Sequence, residues 1–261
     1  MAIALGVCAL MLALFTALWA ASIRLRDAGI ADTWWGPAFL ILSAATAVAG
    51  PGGGRAALVV TLVALWSARL AVSISMRNRG RGEDPRYRAM RTKDGGTFWW
   101  RSLYKVFWLQ GVLAGVISAP LLVAATSPAP LGPIDLVGAL IWTIGFLVEV
   151  TADEQLRRFR ADPDRRGSVL RSGLWAWSRH PNYFGEAVLW LGYFVIAIPA
   201  GGWWTAFAPV AILYLLTRVS GVPMLEREMQ KRHPGYEAYV REVPAFVPRP
   251  PRRPTSTGEA A

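Results

Sequence analysis

The chain has 261 residues, 54% of them hydrophobic, with 13 Trp, a positive mean hydropathy and a formal net charge of +11. Such a chain carries too much apolar sequence and too little charge for an ordinary soluble domain of this length. One cysteine, Cys8, excludes a disulfide framework and a zinc cage, and the two histidines lack ligand spacing, so no metal is expected.

Runs long enough to cross about 30 Å of hydrocarbon at about 1.5 Å per residue predict seven membrane helices. They fall near 2–22, 34–50, 56–76, 104–125, 133–152, 183–199 and 203–219. No positive charge precedes the first run, so it reads as a retained helix rather than a cleaved signal peptide. The second is the weakest, short and rich in Ala and Gly. TSPAPLGP separates the fourth from the fifth, and Pro199-Ala200-Gly201-Gly202 is a tight turn between the sixth and seventh. The expected fold class is all-α, an integral membrane bundle of about seven helices with a C-terminal cytoplasmic amphipathic segment near 225–242. One domain is expected over 1–247. The Pro- and Arg-rich tail over 248–261 is expected to be disordered.

Arg24 and Arg26, nine basic residues in 77–105, seven in 157–179 and eight after 217 make 26 of the 28 Lys and Arg. Alternate loops are thus basic, which predicts an N-terminus outside and a C-terminus in the cytoplasm. The charge is juxtamembrane, so the lipid bilayer rather than nucleic acid is its expected partner.

Polar residues cluster at the basic ends of these runs. Asp32 precedes Trp34 and Trp35 and reads either as a helix cap beside interface anchors or as a partly desolvated acid. In RNRGRGEDPRYRAMR, residues 77–91, two glycines permit close backbone approach and arginine forks such as Arg81 suit phosphate oxygens. Composition alone favours a solvated topogenic loop there. The Gly-x-Gly there follows no strand and is not a dinucleotide fingerprint.

Glu149 and Asp153 lie four apart on one helical face, which Arg157 and Arg160 continue as an ion ladder or a ligand site. The densest cluster is GLWAWSRHPNYFGEAVLWLGY, residues 173–193, where Ser178, Arg179, His180, Asn182, Tyr183 and Glu186 open an apolar helix. Pro181 suits a first helical turn, and Asn182 can both donate and accept. A salt bridge from Glu186 to Arg179 or Arg218 is the structural alternative. Arg218, Ser220, Gly221, Pro223 and Glu226 mark an interrupted exit from the seventh run. Such breaks are tolerated where backbone groups line a polar cavity.

At DTWWG, RNRGRGEDPRY, ADEQLRRFR, SGLWAWSRHPNYFGE and RVSGVPMLE the chain resembles the bacterial DUF1295 family of integral-membrane proteins. That family belongs to the superfamily that holds steroid 5α-reductases and isoprenylcysteine methyltransferases. The resemblance implies a bacterial inner-membrane protein holding NADPH on its cytoplasmic side. It implies reduction of a carbon–carbon double bond conjugated to a carbonyl in a lipophilic, steroid- or isoprenoid-like substrate. It carries cofactor contacts onto Arg81, Asp153, Arg160, Arg179, His180, Asn182, Tyr183, Glu186, Arg218 and Glu226. The steroid enzymes hold the enone oxygen with a Glu and a Tyr from the second and third spans. This chain has no Tyr before Tyr87 and no Glu before Glu83, and Asp32 is the expected substitute acid. RHPNYFGE is shared with the methyltransferases, so an S-adenosylmethionine-dependent methyltransferase is the alternative. A non-enzymatic lipid-binding membrane protein is the third reading.

Overall fold

The computed structural model describes residues 2–250 apart from Ser220 and Pro234. The expected tail lies outside the described residues from Pro251 onward, as does Ser220 of the interrupted exit. Every regular element among the described residues is helical. In chain order these are α1 (Ala2–Leu25), α2 (Ile30–Thr33), α3 (Trp35–Ala49), α4 (Gly54–Asn78), α5 (Pro85–Asp94), α6 (Phe98–Ser102), α7 (Leu109–Ile117), α8 (Ala119–Ala125), α9 (Pro133–Ala161), α10 (Pro181–Ala197), α11 (Phe207–Tyr214), α12 (Val222–Arg232) and α13 (Tyr236–Glu242).

Five helical stretches among these are long and apolar enough to cross a membrane: Gly6–Leu25, Gly54–Asn78, Pro133–Ala161, Pro181–Ala200 and Gly202–Arg232. The protein is an integral membrane protein. Pro85–Ile117 and Ala119–Ala125 are apolar enough together, bent by 49°, and make a sixth crossing when counted as one span rather than as a re-entrant loop. The sequence suggests one straight run there. Pro120, in the first turn of α8, cannot donate to the preceding turn, and the bend falls at Ser118. The expected second span is α3, whose 15 residues reach about 22 Å and fall short of the hydrocarbon thickness.

The chain divides into two compact units, one up to Leu136 together with Phe194–Ala208, the other Val137–Tyr193 together with the chain from Pro209. In the first, α3 packs along α4, and α1 along α7. Arg55, at the start of α4, is 1% exposed and forms a two-pronged bridge to Asp135, itself 0% exposed, at 2.7 and 2.9 Å. The same guanidinium donates to Ser127 Oγ at 2.8 Å and to the carbonyls of Ala129 and Pro130. It therefore fastens the 126–132 connection.

In the second unit α9 and α10 pack antiparallel through glycines spaced seven apart. A Cβ on Gly192 would lie 2.6 Å from the Trp142 nitrogen and 2.8 Å from the Gly138 carbonyl. One on Gly185 would lie 2.6 Å from the Gly145 carbonyl, and one on Gly145 would strike the Leu189 nitrogen. Small residues let two membrane helices touch backbone to backbone. The seam fixes the register that carries α9's polar end to the start of α10.

Candidate functional site

In the second unit, that register places Asp153 of α9 against Asn182 of α10. Asn182 Nδ2 donates to Asp153 Oδ1 at 3.1 Å. A carboxylate only accepts, so the amide nitrogen must face it, and the amide oxygen is left over. Asn182 Oδ1 is buried and has no hydrogen-bond partner. An acceptor left open in a buried position is suited to a ligand N–H or O–H, because leaving it unmet costs about 1–3 kcal/mol. Of the other expected residues on these helices, Glu186 stands one turn beyond Asn182 and is half-buried, and Arg160 is exposed in the last turn of α9.

The turn before α10 is buried: Ser178, Arg179 and His180 are 0%, 8% and 4% exposed. Arg179 Nε donates to Glu226 Oε1 of α12 at 2.7 Å, and His180 Nε2 lies 3.3 Å from the same oxygen. Arg179 Nη1 donates to the carbonyls of Val240 (3.1 Å) and Val243 (2.5 Å), at the C-terminal end of α13. A cation there satisfies carbonyls that the helix itself cannot. The Arg179 backbone N–H reaches the Pro244 carbonyl at 2.9 Å, and Ser178 Oγ donates to that of Phe246 at 2.8 Å. The guanidinium thus acts as a bolt across the 240–246 segment.

Tyr183 stacks on His180, centroids 5.5 Å apart and planes within 5°. Tyr239 donates to the Trp175 carbonyl at 2.6 Å. Burial chiefly pushes the Tyr236 hydroxyl up to about 12 and the Tyr239 hydroxyl higher still, so both stay protonated donors. Arg218 is exposed on a π-helical turn, Leu215–Val219, a feature that re-aims side chains and recurs at functional positions.

In the first unit, Arg81 is exposed in the turn after α4, between Gly80 (φ 75°) and Gly82 (φ 69°). Both glycines take the left-handed region that the sequence pattern suggests. Asp32 caps no helix with its side chain. Its Oδ2 accepts from Arg86 Nη2 at 2.5 Å, and its Oδ1 from the Tyr87 hydroxyl at 2.7 Å and from Gln110 Nε2 at 3.1 Å. Gln110 Nε2 also lies 3.3 Å from the Tyr87 oxygen, and Gln110 Oε1 is buried without a partner.

Tyr87 and Gln110 escape the sequence reading, since 55 and 78 residues separate them from Asp32. The available signal was that Gln110 is the one amide in the apolar run from Leu103 to Ala125. Glu83 closes the same loop. Its carboxylate accepts from the Ala28 N–H at 3.0 Å and from Arg91 at 2.8 and 2.9 Å. Burial works to raise its pKa, but the Arg91 and Ala28 hydrogen bonds prevail and hold it below its ordinary value.

No solved structure matches the chain. It is similar to the bovine protein named 3-oxo-5-alpha-steroid 4-dehydrogenase 1, 32% identical over 111 residues, which cover 42% of this chain and 38% of the relative. The human protein of the same name is 29% identical over 111 residues, with the same coverage. An uncharacterised protein of Schizosaccharomyces pombe is 26% identical over 224 residues, 75% of this chain and 64% of the relative. The chain spans less than two-thirds of the length of each of these proteins. The family model described as "Protein of unknown function (DUF1295)" matches residues 18–243, from within α1 to the residue after α13. By that match, which takes in nearly all of the described helices, the chain belongs to the DUF1295 family.

Proposed function

We propose that the protein is an NADPH-dependent membrane reductase of a carbon–carbon double bond conjugated to a carbonyl, acting on a lipophilic, steroid- or isoprenoid-like substrate. The observation that carries this reading is the similarity to proteins named for dehydrogenation of 3-oxo-5α-steroids at position 4. Run in reverse, that reaction reduces such a double bond. With α3 and the bent pair both counted as crossings, seven in all, the basic loops favour an N-terminus outside and a C-terminus in the cytoplasm of a bacterial inner membrane.

The donor set suits the cofactor. Asn182 Oδ1 is an acceptor matched to a carboxamide N–H2, with Asp153 fixing the amide's orientation from behind. Glu186 and Glu226 offer acceptors for ribose hydroxyls. In the second unit Arg160 and Arg218 offer forks for phosphate oxygens, and in the first Arg81 offers another. Arg179, His180 and Tyr183 belong to this set through position: the first two hold Glu226, and the third stacks on His180. NADPH supplies a hydride when bound. Within the first unit, the Asp32 cluster is the acid of this reading: the Tyr87 hydroxyl carries a proton, and Asp32 and Gln110 orient it.

The test is the melting temperature of the detergent-solubilised protein with each nucleotide. A ligand at about 100 times its Kd adds about 2.7 kcal/mol. NADPH is expected to raise the melting temperature and S-adenosylmethionine to leave it unchanged. A 4-ene-3-oxo steroid should then cause oxidation of NADPH. A response to S-adenosylmethionine alone would replace this reading with a methyltransferase, and a response to neither would favour a lipid-binding protein without catalysis.

A further inference from the structure

Val148, Thr151, Gln155 and Arg158 recur at helical spacing along the face of α9 turned away from Asp153, and Asp162 follows in the turn just past its end. Val148, Thr151 and Gln155 line an open groove of about 490 Å³, closed on its other sides by apolar Leu174, Trp177, Phe184 and Pro248. Gln155, Arg158 and Asp162 line a second hollow of about 260 Å³ together with Phe159 and Arg165. Gln155 is shared by the two, so an apolar compartment runs into a basic one along a single helix.

Their depths differ in a telling way. Val148 and Thr151 belong to the crossing Pro133–Ala161. Arg158 lies ten residues beyond Val148, about 15 Å along the axis. Trp177, 48% exposed on the groove wall, is the residue type that settles at headgroup level. The groove therefore opens where acyl chains run, and the hollow where headgroups lie. Arg158 Nε is held by Glu154 at 2.6 Å, and Arg165 Nε by Asp162 at 2.9 Å, with the Arg165 guanidinium 5.8 Å above the Phe159 ring. Both pairings run through Nε, whereas a phosphodiester is gripped by the outer nitrogens of the fork. Six arginines face three carboxylates over residues 154–171, so the local balance stays positive.

We infer that this pair of hollows binds one anionic phospholipid, an acyl chain in the Val148–Phe184 groove and the phosphodiester headgroup at Arg158 and Arg165. The groove alone would take any lipid tail; the two arginines select for negative charge. The site lies on the face of α9 opposite the Asp153–Asn182 pair and does not depend on the reductase reading.

The test uses the purified full chain in a non-ionic detergent, titrated with phosphatidylglycerol or phosphatidylcholine of identical acyl chains. Melting temperature and lipid adducts by native mass spectrometry are read together. Phosphatidylglycerol is expected to give one saturable adduct and to bind about tenfold tighter than phosphatidylcholine. The double variant Arg158→Gln/Arg165→Gln should bind both lipids equally. Thr151→Trp, which fills the groove, should lose the saturable adduct with either. Equal binding by the unaltered protein, or a preference that survives the double substitution, overturns the assignment. If the double variant does not fold, an adduct that survives Thr151→Trp overturns it instead. Displacement of the lipid by a 3-oxo steroid would give the groove to the substrate and likewise end the proposal. NADPH response is measured in parallel, and its absence beside an intact lipid preference would count against the reductase reading alone.

Discussion

Arg55 and Asn182 are both polar groups in an apolar setting, and they differ in what each leaves over. Arg55 spends its nitrogens on Asp135, Ser127 and two carbonyls, while Asp135 also accepts the Gly132 N–H at 2.8 Å. Asn182 satisfies its nitrogen on Asp153 and keeps a buried oxygen open. A network that is complete holds a fold together, because any subtraction strands a charge. A network short by one partner invites a ligand to complete it.

The contrast is sharpest at Arg55. Arg55→Ala should cost about 3–5 kcal/mol, since it leaves Asp135 ionised and unpaired in a dry site. Arg55→Met with Asp135→Leu should recover most of that loss, because an apolar pair removes both charges together. Chemical denaturation in detergent measures both. An Arg55→Ala protein as stable as the parent would break the contrast. Gly185→Ala comes next, at about 1–3 kcal/mol, because its Cβ meets backbone rather than a side chain that can turn aside. It should also weaken the NADPH response, since the seam it pries apart sets Asp153 against Asn182. Retention of full stability and full response would show that the seam does not set that register.

The residue patterns made the helices legible because a crossing helix needs only length and apolarity. They made Asn182 and Asp153 conspicuous for the same reason: polar groups at a helix mouth stand out against an apolar run. The role of Arg55 was not legible, because its partner Asp135 is 80 residues away. Arg179 stood out in the densest polar cluster, but its donation to the backbone carbonyls of Val240 and Val243 could not be read, since a carbonyl acceptor has no residue signature at all. The bend at Ser118 was visible in Pro120, and Gly221 and Pro223 marked an interruption near Arg218 without revealing that it takes the form of a π-helical turn. Spacing could have exposed the glycine seam, since Gly138 and Gly145 on one helix and Gly185 and Gly192 on the other repeat at seven residues.

Asn182→Ala sharpens the other side of the comparison. It removes a half-satisfied amide, so folding stability should change by less than about 1 kcal/mol. Cofactor affinity should fall by about 1–3 kcal/mol, roughly five- to 150-fold, the worth of a hydrogen bond to a buried acceptor. Calorimetric titration with NADPH reads the loss directly. Equal affinity in parent and variant would remove Asn182 from the binding site and leave its open oxygen without a role.

The smallest effect is expected at Glu83, a second complete network and one that pH can undo. Its folded pKa lies below its ordinary value of 4.5, held there by Arg91 and the Ala28 N–H against the opposing effect of burial. A depressed carboxylate stabilises the fold fully above its unfolded pKa and loses that contribution as pH falls through the folded one. Melting temperature should therefore drop between about pH 5 and the acid limit in the parent. Glu83→Gln should be less stable at pH 7, by about 1 kcal/mol, and should show a flatter acid limb. Because the glutamine keeps an acceptor for the Ala28 N–H but not the charge for Arg91, the flattened limb isolates the ion pair from the backbone contact. Identical acid limbs in the two proteins would mean that the Glu83–Arg91 bridge dissolves in the detergent-solubilised state, and that completeness in this loop, unlike that around Arg55, confers no stability.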